Sequence, residues 1–288
     1  MGLDKLDHRG DELDHRGDRL DHRGDKLATA PTSSLAGAAR LLDYWVIVYR
    51  RTWKGSAITS FVTPLFYVLA MGVLLGGYIA DDPDQLEGAT SYLAFIAPGL
   101  LAASAMNGAV FDSTYNVFFK LKYNRFYDAV LATPLGPIDI ALGEIAWALV
   151  RGGVYAVAFL AVMGGFGLLL SPWALLALPA ALVVAFGFAA VGMAATTYMR
   201  SWQDFDLVTL AILPMFLFAT TFYPLSVYPR WLQLVVEALP LFHAVELMRG
   251  LTTGVVHLGM LGHLCYFLVM IVGGMVVASR RLDILLLK

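Results

Sequence analysis

Glu144 and Arg151 stand seven residues apart in a long apolar stretch, and at about 100° per residue a helix carries them on nearly one face. A charged side chain in a bilayer costs a few kcal/mol, roughly 2.5–3.5 at the centre of a helix, so each must face protein or water. They read first as members of a structural ion pair and second as a gating or coupling element. His243 and Glu246, at i and i+3, offer two metal-ligand types, with His257 and His263 further on. A metal needs two more ligands beyond HxxE, and His263 falls in an expected span, so capping and interfacial hydrogen bonds are the plainer reading. His8, His15 and His22 recur in the N-terminal tail, but nothing else there organises a metal site. Ser104, Asn107 and Asp112 line one side of a helix and suit either a polar path or a helix neighbour. The single cysteine, Cys265, permits no disulfide framework and reads as packing. The chain has no G-x-x-x-x-G-K-[ST] loop to cradle phosphates. It shows no clear nucleophile with its base, so enzyme chemistry is not expected. No cofactor or metal is expected to bind directly.

The elements that must carry these residues are membrane spans. The chain is 59% hydrophobic and 15% charged, with a mean hydropathy of +0.69, more apolar surface than a soluble domain of this length buries. Six apolar windows, near 57–80, 92–113, 138–170, 172–198, 207–226 and 257–279, each reach the roughly 20 residues needed to cross the hydrocarbon. The third is long enough to require tilt or an extramembrane piece. The first 27 residues are hydrophilic, so no cleavable signal peptide is expected. Arg40, Arg50, Arg51, Lys54, Lys120, Lys122, Arg125, Arg200, Arg280, Arg281 and Lys288 all fall on one side of a six-span topology. The other side carries the acidic run from Asp81 to Glu87 and only Arg230 and Arg249. Both termini are therefore expected in the cytoplasm, in a cell membrane protein.

Three segments outside the spans carry organisation. Residues 1–34 contain the unit LDHRGD three times at a period of seven. One leucine per unit, and a glycine costing ~1 kcal/mol of helix stability, favour a disordered tail over a coiled coil. Residues 35–55 form an amphipathic helix, with Arg40, Asp43, Arg50, Arg51 and Lys54 in one sector and Leu41, Leu42, Trp45, Val46, Val48, Tyr49 and Trp53 in the other; Ile47 is the exception. It is expected to lie flat at the cytoplasmic interface. Phe119 to Val130 repeats this geometry, with Phe119, Tyr123, Phe126 and Val130 in a stripe opposite Lys120, Asn124, Arg125 and Asp128. Periodicity alone fits a protein-docking helix and a topology-fixing loop equally well. Residues 56–288 make the transmembrane domain. Within it Gly72 and Gly76, Gly152 and Gly153, and Gly187, Ala190, Gly192 and Ala194 mark close helix approaches.

The block from Tyr92 to Gly152, YLAFIAPGLLAASAMNGAVFDSTYNVFFKLKYNRFYDAVLATPLGPIDIALGEIAWALVRG, resembles the permease subunits of ABC-2 type exporters, most closely the NodJ-like lipooligosaccharide branch. A second matching block runs FYPLS, YPRWLQ and LPLFHAVELMRG from Phe222 to Gly250. The resemblance implies an all-α polytopic fold of six spans. It makes 35–55 the helix that connects to the ATPase, and it places a coupling helix at Phe119, Lys120, Lys122, Tyr123, Arg125 and Phe126. It also implies extracellular re-entrant helices between spans five and six, marked by Pro224, Pro229, Trp231, Pro240, Glu246 and Arg249. ATP would act through a partner ABC ATP-binding subunit, on a permease homodimer or a heterodimer with a related permease, among membrane lipid and without nucleic acid. Cargo would be an amphipathic or hydrophobic drug, lipid or lipooligosaccharide moving outward, along walls with aromatics such as Phe95, Phe111, Phe216 and Phe218. The alternative is an ion-coupled secondary transporter, which would show midspan charges and often an inverted repeat; neither is clear in the sequence.

Overall fold

Apolar residues at helical spacing fold this chain into helices throughout, and the computed structural model describes residues 34–75, 89–124 and 126–286. Helix α1 runs Ser34–Tyr67 and opens into π-helical turns at Val68–Leu75. Helix α2 is Tyr92–Phe111, followed by a π-helical turn, Asp112–Asn116, and by α3, Val117–Lys122. Helices α4, Phe126–Leu131, and α5, Pro137–Gly165, come next. A 3₁₀ turn at Pro172–Leu176 leads into α6, Ala177–Thr196. The remainder is α7, Asp204–Phe218; α8, Arg230–Glu237; α9, Pro240–Thr253; and α10, Gly259–Leu286. The tail repeat with its histidines, the acidic run from Asp81 to Glu87, Gly76, Arg125 and Lys288 lie outside the described residues.

Local chemistry sets the boundaries. Ser91 caps α2 by accepting the Ala94 N–H at 3.2 Å. Pro137 starts α5, where its missing N–H is no loss, while the Asp139 carboxylate accepts the Gly136 N–H at 2.8 Å. Gly254 ends α9 at φ 88°, a left-handed cap that favours glycine. At the π turn, the Val110 carbonyl accepts the Thr114 hydroxyl at 2.6 Å and the Ser113 hydroxyl at 3.3 Å. Hydroxyls competing for a helix carbonyl loosen the regular ladder there.

Four helices are long and apolar enough to cross a membrane among the described residues: Tyr92–Lys122, Pro137–Gly165, Pro172–Thr196 and Gly259–Leu286. Two of the six expected spans look different. The first, expected over 57–80, begins inside α1, and its residues 76–80 lie outside the described residues. The fifth, expected over 207–226, is a 15-residue helix that stops at Phe218, about 22 Å long. It stops because the chain turns at Ala219–Thr221, all buried, with Thr220 at φ 58°. The expected boundary near residue 55 is also absent: the amphipathic segment and the start of the first span are one helix. Gly55 and Ser56 stand at that point without interrupting it, and the first proline inside the helix is Pro64.

Helix α2 is the centre of the bundle, buried along most of its length. Helix α10 packs by one stripe, Met260, Phe267 and Gly274 at seven-residue spacing and then Ala278 and Leu282. A Cβ on Gly274 would stand 2.7 Å from the Ala190 carbonyl carbon, and one on Gly187 2.8 Å from the Phe267 ring. Such contacts let backbones approach where no hydrophobic force drives helices together.

Candidate functional site

Helices α1, α2, α5 and α7 enclose a polar groove in this apolar bundle. One section, about 180 Å³, is lined by Ser60, Thr63, Tyr67, Ser104, Asn107 and Tyr155 with Leu100, Phe159 and Phe216. A second, about 400 Å³, shares Tyr67, Asn107 and Phe216 with it and adds Phe111, Tyr115, Thr209 and Leu213. Ser104 and Asn107 therefore face the groove. Of the expected wall aromatics, Phe111 and Phe216 line it and Phe95 does not: that ring is fully buried, with the Arg249 guanidinium 3.9 Å from its centre. Phe218 lies near Tyr228, with ring centres 6.5 Å apart, outside both sections.

Beneath the groove, at the end richest in lysine and arginine, two ion pairs join separate elements. Glu144 of α5 binds Lys120 of α3 at 2.6 Å, and Arg151 of α5 binds Asp112 at 2.8 Å. Asn116 donates to the same Asp112 oxygen at 2.7 Å, and Arg151 reaches the Tyr155 hydroxyl at 3.5 Å. Glu144 and Arg151 are thus both ion-paired, but to neighbours in space and not to each other. Seven residues of helix is ~10 Å of rise, too far for their charges to meet.

Lys120 departs from its expected place on the solvated cationic face. Its side chain is 13% exposed, points inward to Glu144, and its Nζ lies 3.6 Å from the centre of a Trp45 ring. Burial without a carboxylate would be costly for the ammonium, and Glu144 supplies one. Trp45 of α1 and Tyr127 of α4 complete the surround, with their polar atoms buried beside Glu144 and closing no full hydrogen bond. Burial, and secondarily the Glu144 charge, push the Tyr127 hydroxyl well above its usual pKa, so it stays protonated. Glu144 therefore touches three elements of the basic end at once.

The expected coupling helix is two short helices separated by a turn at Tyr123–Asn124. Lys122 is exposed, and Phe119 and Tyr123, 46% and 55% exposed, stack at 5.7 Å. Phe126 instead packs on Tyr44 and Trp45, at 5.7 and 5.4 Å between ring centres. The exposed tip of this segment is thus Phe119, Lys122 and Tyr123, to which Lys120 and Phe126 do not belong.

At the opposite end, α8 and α9 meet at an 85° bend. Pro240 occupies the first turn of α9, Pro229 precedes α8 and Pro224 precedes a 3₁₀ turn, positions where a missing N–H costs least. Trp231 is 68% exposed. Arg249, 3% exposed, binds Glu246 at 3.0 Å and donates to the carbonyls of Thr220 at 2.6 Å and Phe95 at 3.4 Å. One guanidinium thereby fixes the break after α7, the start of α2 and α9 together. Being buried, it also drops out of the charge count of that side's loops. His243 and His263 meet at 2.7 Å between Nδ1 atoms, joining α9 to α10, while Glu246 turns away to Arg249. No cluster of three metal-ligand side chains forms among the described residues.

Sequence reasoning missed Lys120 as the partner of Glu144, Asp112 as the partner of Arg151, and the carbonyl ligands of Arg249. The mixed charge of 112–151 was the available signal for the first two; carbonyls leave none.

A helical bundle with a polar groove, cross-element ion pairs at its basic end and a bent helix pair at the other is the membrane part of a transport protein. Residues 40–252 match the family described as "ABC-2 type transporter", and the chain belongs to it. It is similar to Nodulation protein J of Rhizobium meliloti (strain 1021), 31% identical over 238 residues that cover 78% of this chain and 88% of that one. Nodulation protein J of Rhizobium leguminosarum bv. trifolii is 32% identical over 218 residues, 73% of this chain and 81% of its own. Inner membrane transport permease YadH of Escherichia coli (strain K12) is 24% identical over 218 residues, 72% and 82% of the two chains. The chain is an integral membrane permease of an ABC transporter, a transport subunit and not a catalytic one.

Proposed function

We propose that this permease exports an amphipathic or hydrophobic molecule, of the drug, lipid or lipooligosaccharide kind, driven by ATP hydrolysis in a partner ABC ATP-binding subunit. The observation that carries this reading is the groove, a depression of mixed polar and apolar lining flanked by α1 and α7 within an apolar bundle. Hydroxyl and amide groups there suit a cargo's polar part, and Phe111, Phe216 and Leu213 suit its apolar part. Export as the direction follows the resemblance to NodJ-like permeases. Helix α7 presents Leu210, Leu213 and Leu217 at 46% to 68% exposure on its outer side, which suits closure of the groove by a second permease, identical or related. The basic end faces the cytoplasm of a cell membrane under the positive-inside rule, and both termini lie there. Phe119, Lys122 and Tyr123 then form the tip that meets the ATPase, with Arg125 beside them in sequence.

Charge reversal tests the coupling surface. Lys122→Glu with Arg125→Glu lowers the ATPase recovered with the permease by about tenfold and leaves membrane insertion intact; unchanged recovery with normal transport rejects the surface. The alternative, an ion-coupled carrier, would draw on Asp112, whose Oδ1 is already taken by Arg151 and Asn116. Uptake into inside-out vesicles that depends on ATP and survives collapse of ion gradients excludes it; the reverse dependence establishes it.

A further inference from the structure

Across Val110, Val208 and Ile212, which also line the second section of the groove, lies another, larger depression of about 790 Å³. We infer that this slot holds one anionic phospholipid of the cytoplasmic leaflet as a resident structural ligand, beside the cargo path and not in it. Asp204, Leu207, Val208, Ala211, Ile212 and Met215 form its α7 wall, at the i, i+3, i+4, i+7, i+8, i+11 spacing of one helix face. Phe188 and Val191 of α6 and Met270 of α10 supply the facing wall. Leu239 and Pro240, at the bend between α8 and α9, close the end away from the basic loop.

Its dimensions fit half a bilayer. From Asp204 to Met215 is eleven residues, ~16 Å of helix rise, against ~15 Å for half of a ~30 Å hydrocarbon core. A chain from one leaflet would fill it and end at the midplane.

The mouth has the complementary charge. Arg200 is exposed at its rim, and Arg281 lies 4.3 Å above the ring of Tyr198, which lines the slot. Arg281 donates to the Thr197 carbonyl at 3.4 Å, yet its Nε is buried with no partner. The one carboxylate at the rim, Asp204, accepts the backbone N–H groups of Arg200 at 2.6 Å and Ser201 at 3.1 Å. Two guanidinium groups, Arg200 at the rim and Arg281 behind Tyr198, against one already-bonded carboxylate leave the mouth positive and suited to a phosphate headgroup.

The packing of α7 shows why a ligand is needed. Phe205 is its single buried residue, so little protein holds this helix against α6. A lipid in the slot supplies the missing contacts on that face.

Native mass spectrometry of the full-length chain released from nanodiscs of equal phosphatidylglycerol and phosphatidylcholine tests this. The expected result is one phosphatidylglycerol retained per chain, favoured over phosphatidylcholine by about fivefold. Ala211→Trp, which fills the slot, removes the bound lipid; Val191→Phe, on the facing wall and outside the groove, is the milder substitute if circular dichroism shows lost helicity. Arg200→Gln with Arg281→Gln keeps a lipid bound but brings the headgroup ratio to about one. Absence of retained phospholipid, equal retention of both headgroups by the unaltered chain, or retention indifferent to filling the slot overturns the inference. The site rests on the proposed cytoplasmic placement of the basic end, but its readout needs neither ATPase nor cargo, so it can fail without the export reading failing.

Discussion

The two ends of the bundle bury charge in different ways. At the end of the bent helix pair, Arg249 meets Glu246 three residues away on its own helix and two backbone carbonyls. At the basic end, Lys120 and Glu144 are 24 residues apart and Asp112 and Arg151 are 39 apart, each pair spanning separate elements. Backbone acceptors are fixed by the fold, so the Arg249 cage holds one geometry. Side-chain pairs between elements exist only while those elements keep their spacing, and they report any shift in it. The end at the bent helix pair is a clamp and the basic end a set of joints, which suits the proposed entry of force from an ATPase at the basic end.

Substitutions that separate charge loss from loss of a partner break or sharpen this contrast. The largest effect falls on the clamp: Arg249→Met takes the cation from Glu246 and the donor from two carbonyls and costs about 3–5 kcal/mol, read as a collapse of thermal stability in detergent. Adding Glu246→Leu restores little, because the Thr220 and Phe95 carbonyls stay without their donor. Lys120→Met comes next, costing about 3 kcal/mol by leaving Glu144 buried alone. Here the double variant with Glu144→Leu recovers most of the loss, since no backbone group depended on either charge, while ATP-dependent transport stays impaired. Equal rescue at both ends would erase the distinction.

The smallest effect is at Asp204. The backbone N–H groups of Arg200 and Ser201 hold its carboxyl below the ordinary value of 3.8. Its contribution is therefore complete above pH 3.8 and is lost as pH falls through the lower folded value. A small melting-temperature gap between the unaltered chain and Asp204→Ala should be constant at neutral pH and close in acid. A gap that widens in acid contradicts the assignment.

How far the sequence reveals these ends depends on where each partner comes from. The amphipathic character of α1 was legible in part: Arg40, Asp43, Arg50, Arg51 and Lys54 are exposed while Leu41 is buried and Leu42, Trp45, Val46 and Tyr49 are half-buried, but Val48 and Trp53 of the apolar sector are exposed. Ile47, the exception in that pattern, is 59% exposed on the polar side. The prolines also announced the bent pair, since Pro240 can only start a helix or break one. The inward turn of Lys120 was illegible, because periodicity in a short segment says which residues share a face and not which face is covered. The early end of α7 was hidden for the same reason: Thr220 takes its left-handed turn where its own carbonyl meets Arg249, 29 residues on.

The Gly274–Ala190 contact divides the protein mechanically. With backbones that close at Gly274, and with the Phe267 ring seated against Gly187, α6 and α10 interlock along their contact and travel as one plank. Under the proposed export cycle, the rocking that moves cargo falls to the looser boundaries around α7, a motion of that helix against a stiff board.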